Sequence, residues 1–166
     1  MIVLGVDPGT AATGYGVVER PASGPDRLIE CGVIRPPARG PLARRLAVIH
    51  EEITLLLTRH HPDVVAVESV FVAVNARSAL VLGQARGVIL LAAAQAGLDV
   101  AEYAPRQVKS AVTGAGGATK QQVGKMVARL LRLAAAPAPA DAADGVAIAL
   151  AHCRKQGRTL RRAVVG

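Results

Sequence analysis

The segment Ile2–Asp7, IVLGVD, is apolar at every position before its final carboxylate. Successive side chains of a β-strand point to opposite faces of the sheet, so a strand of this kind must be buried on both faces. This predicts a central strand in a sheet that helices cover on both sides. A chain of 166 residues has room for one such domain with a core of its own.

Turn residues and the spacing of apolar positions divide the rest of the chain into further strands and helices. Helices are predicted at 42–60 and 77–96, from Pro105, after a Thr119 cap, and in the segment DAADGVAIALAHCR. The predicted strands are 2–7, 14–19, 28–34, 63–69 and 99–103. This order predicts an α/β fold with a five-stranded mixed sheet flanked by helices on both faces. We expect one domain over residues 1–157 and a flexible basic tail over 158–166.

Positive charge is concentrated in the last third of the chain. The net charge is +8, but residues 1–104 hold 9 Lys or Arg and 10 Asp or Glu, whereas residues 105–166 hold 11 and 2. Clustered cations favour phosphate-rich partners because binding releases counterions from nucleic acid. A generally basic surface without a nucleic-acid partner is the alternative.

Several classes of protein are not expected. The apolar runs are shorter than the ~18 residues of a membrane span, and no basic segment precedes the first of them as in a signal peptide. With only Cys31 and Cys153, a disulfide framework is not expected either. We therefore expect a cytoplasmic protein without membrane contact.

Four carboxylates stand against apolar segments. Asp7 and Glu68 end predicted strands, and Asp141 and Asp144 lie three residues apart at the start of the last predicted helix. A spacing of three puts the two helical acids on one face. If the first and fourth strands are neighbours, all four acids converge at one edge of the core.

Converging carboxylates repel one another unless cations neutralise them. Mg²⁺ prefers oxygen ligands and needs few protein carboxylates when a phosphate completes its shell, and a pair of such ions suits phosphoryl transfer. We therefore predict two Mg²⁺ ions, with Mn²⁺ as a substitute. Gly9, Gly14 and Gly16 are expected to leave room beside Asp7 for a phosphate or a metal-bound water, although tight hairpin turns also explain them. Helix capping is the alternative role of the helical acids.

Four long blocks of the chain are distinctive together, namely LGVDPGTAATGYGVV, VVAVESVFVAVNARSALVLGQARGV, EYAPRQVKSAVTG and DAADGVAIALAHC. These blocks resemble the RuvC-type Holliday junction resolvases, members of the ribonuclease H-like superfamily. They occur in the family's order and cover nearly the whole chain. One departure is Gly145, where the family leads us to expect Ala, and Gly is the poorer helix former by ~1 kcal/mol.

The resemblance implies a homodimeric endonuclease for recombination and repair. Such an enzyme cuts two opposing strands of a four-way DNA junction with Mg²⁺ or Mn²⁺, leaves 5′-phosphate and 3′-hydroxyl ends, and works with a RuvA–RuvB branch-migration complex in the bacterial cytoplasm. It implies that Asp7, Glu68, Asp141 and Asp144 are the metal-binding catalytic acids. The DNA-binding residues expected on this basis are Phe71, Arg77, Lys109, Lys120 and Lys125. The helix at 77–96 resembles the family's dimer-facing helix, although its small residues equally suit packing within one subunit.

Three alternative functions remain open from the sequence. DPGTAATGYG also resembles the phosphate-binding hairpin of sugar kinases and actin-like ATPases, but the chain has no second such hairpin. A related nuclease of the same fold that processes structured RNA is the second. In the third, a catalytically silent junction-binding module, the acids are caps and turn residues.

Overall fold

The computed structural model describes residues 1–69 and 76–164 of the chain. Its strands are β1 (Ile2–Asp7), β2 (Thr13–Glu19), β3 (Arg27–Ile34), β4 (Val64–Glu68) and β5 (Val100–Tyr103). Its helices are α1 (Leu42–His60), α2 (Ala76–Gln95), α3 (Pro105–Thr113), α4 (Lys120–Leu131) and α5 (Ala140–Val164). The predicted elements are confirmed to within one or two residues, apart from the end of α5.

The five strands form one mixed sheet in the order β3-β2-β1-β4-β5. β1, β2 and β3 are antiparallel neighbours, whereas β4 pairs in parallel with both β1 and β5. The first strand is therefore central, as its continuous apolar character predicts. Because β1 and β4 are parallel, their carboxyl ends lie at the same edge of the sheet.

Helices cover both faces of this sheet, which confirms the predicted layers. One apolar cluster joins the sheet to α1 and α2 and includes Leu4, Val6 and Ile53. The other joins the opposite face to α3, α4 and α5 and includes Val3, Val127 and Ile148. Alternate residues of β1 thus serve different clusters, as the period of a strand requires.

Helix α5 lies unusually close to β1 and β2. A Cβ atom on Gly14 would collide with the backbone of Asp141, and one on Gly16 would lie 2.5 Å from the Val146 side chain. Conversely, a Cβ on Gly145 would lie 2.5 Å from the backbone of Tyr15. The space beside Gly14 and Gly16 is filled by α5, which differs from the predicted clearance for a ligand. Gly145 is present because the strand leaves no room for Ala.

Helix α5 extends beyond its predicted end. Its backbone is helical from Ala140 to Val164, so it includes most of the segment 158–166 that we predicted as a flexible tail. The basic residues of that segment continue a helix that is already anchored by its buried first half, and helix propagation needs no new nucleation. The mobility of the segment stays a prediction.

Helix α2 has an exposed apolar surface. Among the described residues it is the one helix long and apolar enough to cross a membrane by length and composition, and 22% of the relevant window is buried. Helices of soluble proteins also pass this test, and α2 packs its residues Ala85, Ile89, Ala92 and Ala93 into the α1 cluster. The predicted absence of a membrane span stays a prediction.

The contact of Gly145 with Tyr15 gives a stability test. We expect Gly145→Ala to lower the free energy of unfolding by about 1–3 kcal/mol, because overpacking outweighs the gain in helix propensity. Gly124→Ala in α4 is the matched control, since its Cβ would meet only the Ala136 Cβ, at 3.4 Å. Urea unfolding of both variants measures the difference, and equal stabilisation by the two changes would contradict the close approach.

Candidate active site

Asp7 and Glu68 lie side by side at the carboxyl ends of two parallel strands. Val6 pairs with Val67, so the two acids are the next residue of each strand. In β1, Val3 and Gly5 face α5, and in β4, Val64 and Ala66 belong to the same cluster. By the strand period, both carboxylates therefore point to the α5 side of the sheet.

Helix α5 brings Asp141 and Asp144 over this edge. The backbone of Asp141 lies against Gly14, and Gly14 is the β2 partner of Asp7. Both helical acids are partly exposed, whereas Ile148 and Ala151 on the same helix are fully buried. The glycine contacts between helix and sheet thus determine where the second pair of acids lies relative to the first.

Two lysines lie near these acids. Lys120, the first residue of α4, donates a hydrogen bond from Nζ to Asp144 Oδ2 at 2.7 Å. Thr119 caps the same helix, since its side chain accepts from the Gln122 N–H. The hydrogen bond between Lys120 and Asp144 raises the pKa of Lys120. Lys109 of α3 lies close enough to Glu68 to favour its ionised form. Both lysines thus belong to the acid cluster as well as being predicted DNA contacts.

Burial and mutual repulsion raise the pKa values of the two strand acids. The pKa of Asp7 is raised to about 6, first by burial and then by the charges of Asp144 and Asp141, against the opposing charge of Lys120. The pKa of Glu68 is raised to about 7, first by burial and then by Asp7 and Asp144. The nearby lysines therefore leave negative charge uncompensated, and a cation would relieve the repulsion.

The carboxylates are electrostatically coupled without forming a closed metal cage. Across residues 1–69 and 76–164, no three His, Cys, Asp or Glu side chains are grouped tightly enough to hold a metal ion. Oxygen-only donors with excess negative charge nevertheless match the chemistry of Mg²⁺ and Mn²⁺, which keep waters and take up phosphate oxygens. The donor set therefore fits the predicted ions, and bound phosphate would have to complete their coordination.

The loop that follows Asp7 is held from two sides. The buried Thr13 hydroxyl donates to Gly9 O at 2.6 Å, and the missing Gly9 Cβ leaves room for Ala12 O. From α1, Arg45 Nη2 donates to Thr10 O at 2.5 Å. Neither contact is predicted from the sequence, although the two residues that make them are Thr13 at a strand start and Arg45 beside Leu46 of the predicted helix.

A buried hydrogen bond joins β5 to α5. The hydroxyl of Tyr103 and Nδ1 of His152 are 2.9 Å apart, and each side chain is only 5% exposed. Tyr103 is also the β5 partner of Glu68. The bond therefore links the strand next to Glu68 with the helix that carries the other acids. His152 is close to the end of the predicted helical segment DAADGVAIALAHCR, whereas in the structure it lies inside α5, which continues to Val164.

Two of the remaining predicted DNA contacts, Arg77 and Lys125, lie outside the acid cluster. Arg77 is exposed in the first turn of α2, and Lys125 is exposed on α4, where it lines a cavity of about 360 Å³ with Met126 and Arg129. Phe71 lies outside the described residues. The roles of all five predicted DNA contacts stay predictions.

Comparison with known proteins agrees with this architecture. The family model described as crossover junction endodeoxyribonuclease RuvC matches residues 3–152. The chain belongs to the RuvC family. The family match favours a nuclease over the ATP-binding domain that the glycine-rich hairpin also suggested.

Individual RuvC proteins match over nearly their whole length. The crossover junction endodeoxyribonuclease RuvC of Pelotomaculum thermopropionicum is 51% identical over 152 residues, 92% of each chain. The Thermus thermophilus RuvC structure superposes with a TM-score of 0.88 at 38% identity, covering 96% of this chain and 97% of that one. A second T. thermophilus RuvC structure, in complex with Holliday junction substrate, gives 0.87 at 35% identity, covering 95% and 96%. These matches confirm the predicted fold and the resemblance.

The raised pKa values of the strand acids predict how the stability of the metal-free protein depends on pH. Between the ordinary pKa of Asp7, 3.8, and its raised value of about 6, the folded state binds more protons than the unfolded state. The free energy of unfolding therefore falls as pH rises through this window. In EDTA, Asp7→Asn should stabilise the protein by roughly 1–3 kcal/mol above pH ~7, and this gain should shrink toward pH ~4.

Urea unfolding in EDTA at several pH values checks this expectation. Asp99→Asn, which removes an exposed carboxylate before β5, controls for the loss of one negative charge. If Asp7→Asn destabilises the protein at high pH, the Asp7 carboxylate is not repelled by its neighbours.

Proposed function

We propose that this protein resolves four-way DNA junctions by metal-dependent hydrolysis of two opposing strands. The observation that carries the proposal is the convergence of Asp7, Glu68, Asp141 and Asp144 at one sheet edge beside Lys109 and Lys120, in a chain of the RuvC family. A relative, T. thermophilus RuvC, has been solved with Holliday junction substrate. The reaction belongs to homologous recombination and DNA repair.

The four acids are the proposed ligands of two Mg²⁺ ions, which Mn²⁺ can replace. When bound, such ions activate water and stabilise the leaving oxygen of an in-line phosphoryl displacement. The charge of Asp7 interacts with those of Asp144, Asp141 and Glu68, so Asp7 would contribute to holding the ions together with all three. The ionised carboxylates repel one another when no metal is bound. Binding of cations relieves this repulsion and is therefore favoured.

In this proposal, Lys109 and Lys120 also interact with the DNA phosphate. Lys120 holds Asp144 and neutralises part of its charge, while its 74% exposed side chain remains reachable by a DNA phosphate. The charge of Lys109 acts on Glu68 without a direct contact. Each lysine therefore lowers the repulsion between an incoming phosphate and the acids, and Lys120 also fixes the orientation of Asp144.

The bond changes follow from attack by water. The water oxygen bonds to phosphorus, the bond from phosphorus to the 3′ oxygen breaks, and the leaving oxygen takes up a proton. The products are 5′-phosphate and 3′-hydroxyl ends, which can be ligated. No covalent enzyme intermediate forms, since the acids act through metal and water rather than as nucleophiles.

Junction cleavage by the Asp7→Asn variant is the direct test. With Mg²⁺, the unmodified protein should make paired nicks in a synthetic four-way junction and leave a linear duplex of the same sequence uncut. Asp7→Asn should slow cleavage by at least about 100-fold, since even loss of groups that only orient metal ligands costs 10–100-fold. Junction binding should persist because the fold and the basic residues are unchanged. Gel analysis of end-labelled strands, with EDTA reactions alongside, measures both effects.

The control and the opposing outcomes are specific. Asp99→Asn should cleave at the unmodified rate, because Asp99 is remote from the acid edge in sequence and structure. Tight junction binding without cleavage under any divalent ion would favour a silent junction-binding module. Cleavage of structured RNA without cleavage of DNA junctions would favour the RNA-processing alternative.

A homodimer is the proposed assembly, with α2 at its interface. Leu80 and Leu91 are 65% and 51% exposed, and Gly83 and Gly87 lie between them at helical spacing. A Cβ at either glycine would meet no atom of residues 1–69 or 76–164 within 4 Å, so packing against this described part of the chain requires neither glycine. Exposed leucines flanking open glycines suit close approach of a second helix, and a two-fold pair can cut two equivalent strands.

A charged residue on this exposed surface of α2 should separate the subunits. Leu80→Glu should convert a dimer into a monomer in sedimentation equilibrium, because it buries a charge in an apolar contact. Ile29→Glu is the control, since Ile29 is 44% exposed on β3, at the sheet edge opposite the α2 side. A dimer that survives Leu80→Glu but dissociates with Ile29→Glu would move the interface to β3.

Two further parts of the proposal concern the setting. The junction is proposed to be delivered by a RuvA–RuvB branch-migration complex, and the reaction to take place in the bacterial cytoplasm. Co-sedimentation of the protein with a preformed RuvA–RuvB–junction complex would test the first part.

A further inference from the structure

The stretch from Cys31 to His50 carries four arginines and no acidic residue. Arg35, Arg39 and Arg44 are all exposed, and among residues 1–69 and 76–164 no side chain hydrogen-bonds or pairs with any of them. Four other arginines, Arg20, Arg27, Arg59 and Arg86, differ from these three because each of them pairs with a carboxylate. We call Arg35, Arg39 and Arg44 the arginine flank.

The arginine flank lies at the same sheet edge as the acids. Asp7 pairs with Gly14, and Gly14 pairs with Val33, so Val33 is about 10 Å from Asp7 across two strand spacings. Strand β3 ends one residue later, and Arg35 follows directly. The loop that carries Arg35 and Arg39 therefore starts beside the active-site edge.

A direct contact ties the start of α1, which carries Arg44, to the loop after Asp7. Arg45, adjacent to Arg44 in the first turn of α1, donates to Thr10 O. The start of α1 is also joined to its preceding loop, since the N–H groups of Arg44 and Arg45 donate to Pro41 O. Arg44 is thereby placed next to the loop that follows Asp7.

The acids consequently lie between two basic surfaces. Lys109 and Lys120 stand on the α3 and α4 side, whereas the arginine flank stands on the β3 and α1 side. Exposed guanidinium groups without a carboxylate partner suit phosphate oxygens, which they bind through paired N–H donors. A DNA duplex has a charge about every 1.7 Å of its axis, so one arm lying across this edge offers phosphates to both sides.

We propose that the arginine flank binds the phosphate backbone of one duplex arm of the junction and holds it across the active-site edge. This inference rests on the proposed function for its substrate. It extends that function because none of the DNA contacts predicted from the sequence lies on β3, α1 or the loop between them. Its partner is DNA backbone, without base specificity, since exposed guanidinium groups match phosphate oxygens, and phosphate contacts carry no sequence information.

The salt dependence of junction binding tests the proposal. Junction affinity is measured by fluorescence anisotropy in EDTA, over a series of salt concentrations, for the unmodified protein and for Arg39→Ala/Arg44→Ala. Each lost phosphate contact should lower the slope of log K against log salt by about 0.9, so the double variant should lose about 1–2. With Mg²⁺ and sub-saturating junction, the cleavage rate of the double variant should fall in proportion to its loss of affinity, because the arm is held across the active-site edge less often.

Arg27→Ala/Arg59→Ala is the matched control. It removes the same charge at the opposite ends of β3 and α1, and should leave the salt slope unchanged. Equal slope changes in both double variants would overturn the proposal in favour of a general charge effect. No change in the slope for Arg39→Ala/Arg44→Ala would also overturn it, and would assign the flank to solvent or to another macromolecule. Failure of the proposed function has a different signature, namely that the unmodified protein does not cut the junction, whatever the binding slopes are.

Discussion

The close approach of α5 to β1 and β2 is the constraint on which the rest of the structure depends. The helix can lie this near the sheet only because Gly14 and Gly16 on the strand and Gly145 on the helix have no side chains. That approach brings the start of α5 over the β2 partner of Asp7. Two acids from a helix and two from strands thereby share one edge, and their repulsion follows from this packing rather than from any local sequence pattern.

Much of the fold was predictable because its signals are local. The strands and helices follow from apolar period, and Asp7 and Glu68 were found because each ends a buried run. The reason for a glycine at position 145 could not be predicted. Helix propensity indicates only that Gly destabilises a helix, and the Tyr15 backbone that leaves no room for a side chain lies 130 residues away in sequence. The Tyr103–His152 bond and the Arg45–Thr10 contact were missed for the same reason, because each joins elements whose proximity no spacing along the chain reveals.

The charged residues likewise form contacts in the fold that counts along the chain do not reveal. The first 104 residues are nearly balanced in charge, which suggested that the basic surface belongs to the C-terminal third. In the structure, acids such as Asp26, Glu19 and Glu30 are paired with particular arginines. Similar numbers of acidic and basic residues therefore do not mean that every arginine has a carboxylate partner. Local pairing, rather than net charge, determines which cations remain available to a ligand.

The acid edge combines the first strand with the last helix of the chain. Asp7 is available early in synthesis, but Asp141 and Asp144 reach it only after nearly the whole polypeptide has been made and α5 has packed on the sheet. Such a long-range contact forms late, because loop closure must precede it. A chain without the start of α5 thus lacks two of the four acids of this edge, so under the proposed function the capacity to cut DNA would depend on completion of the fold.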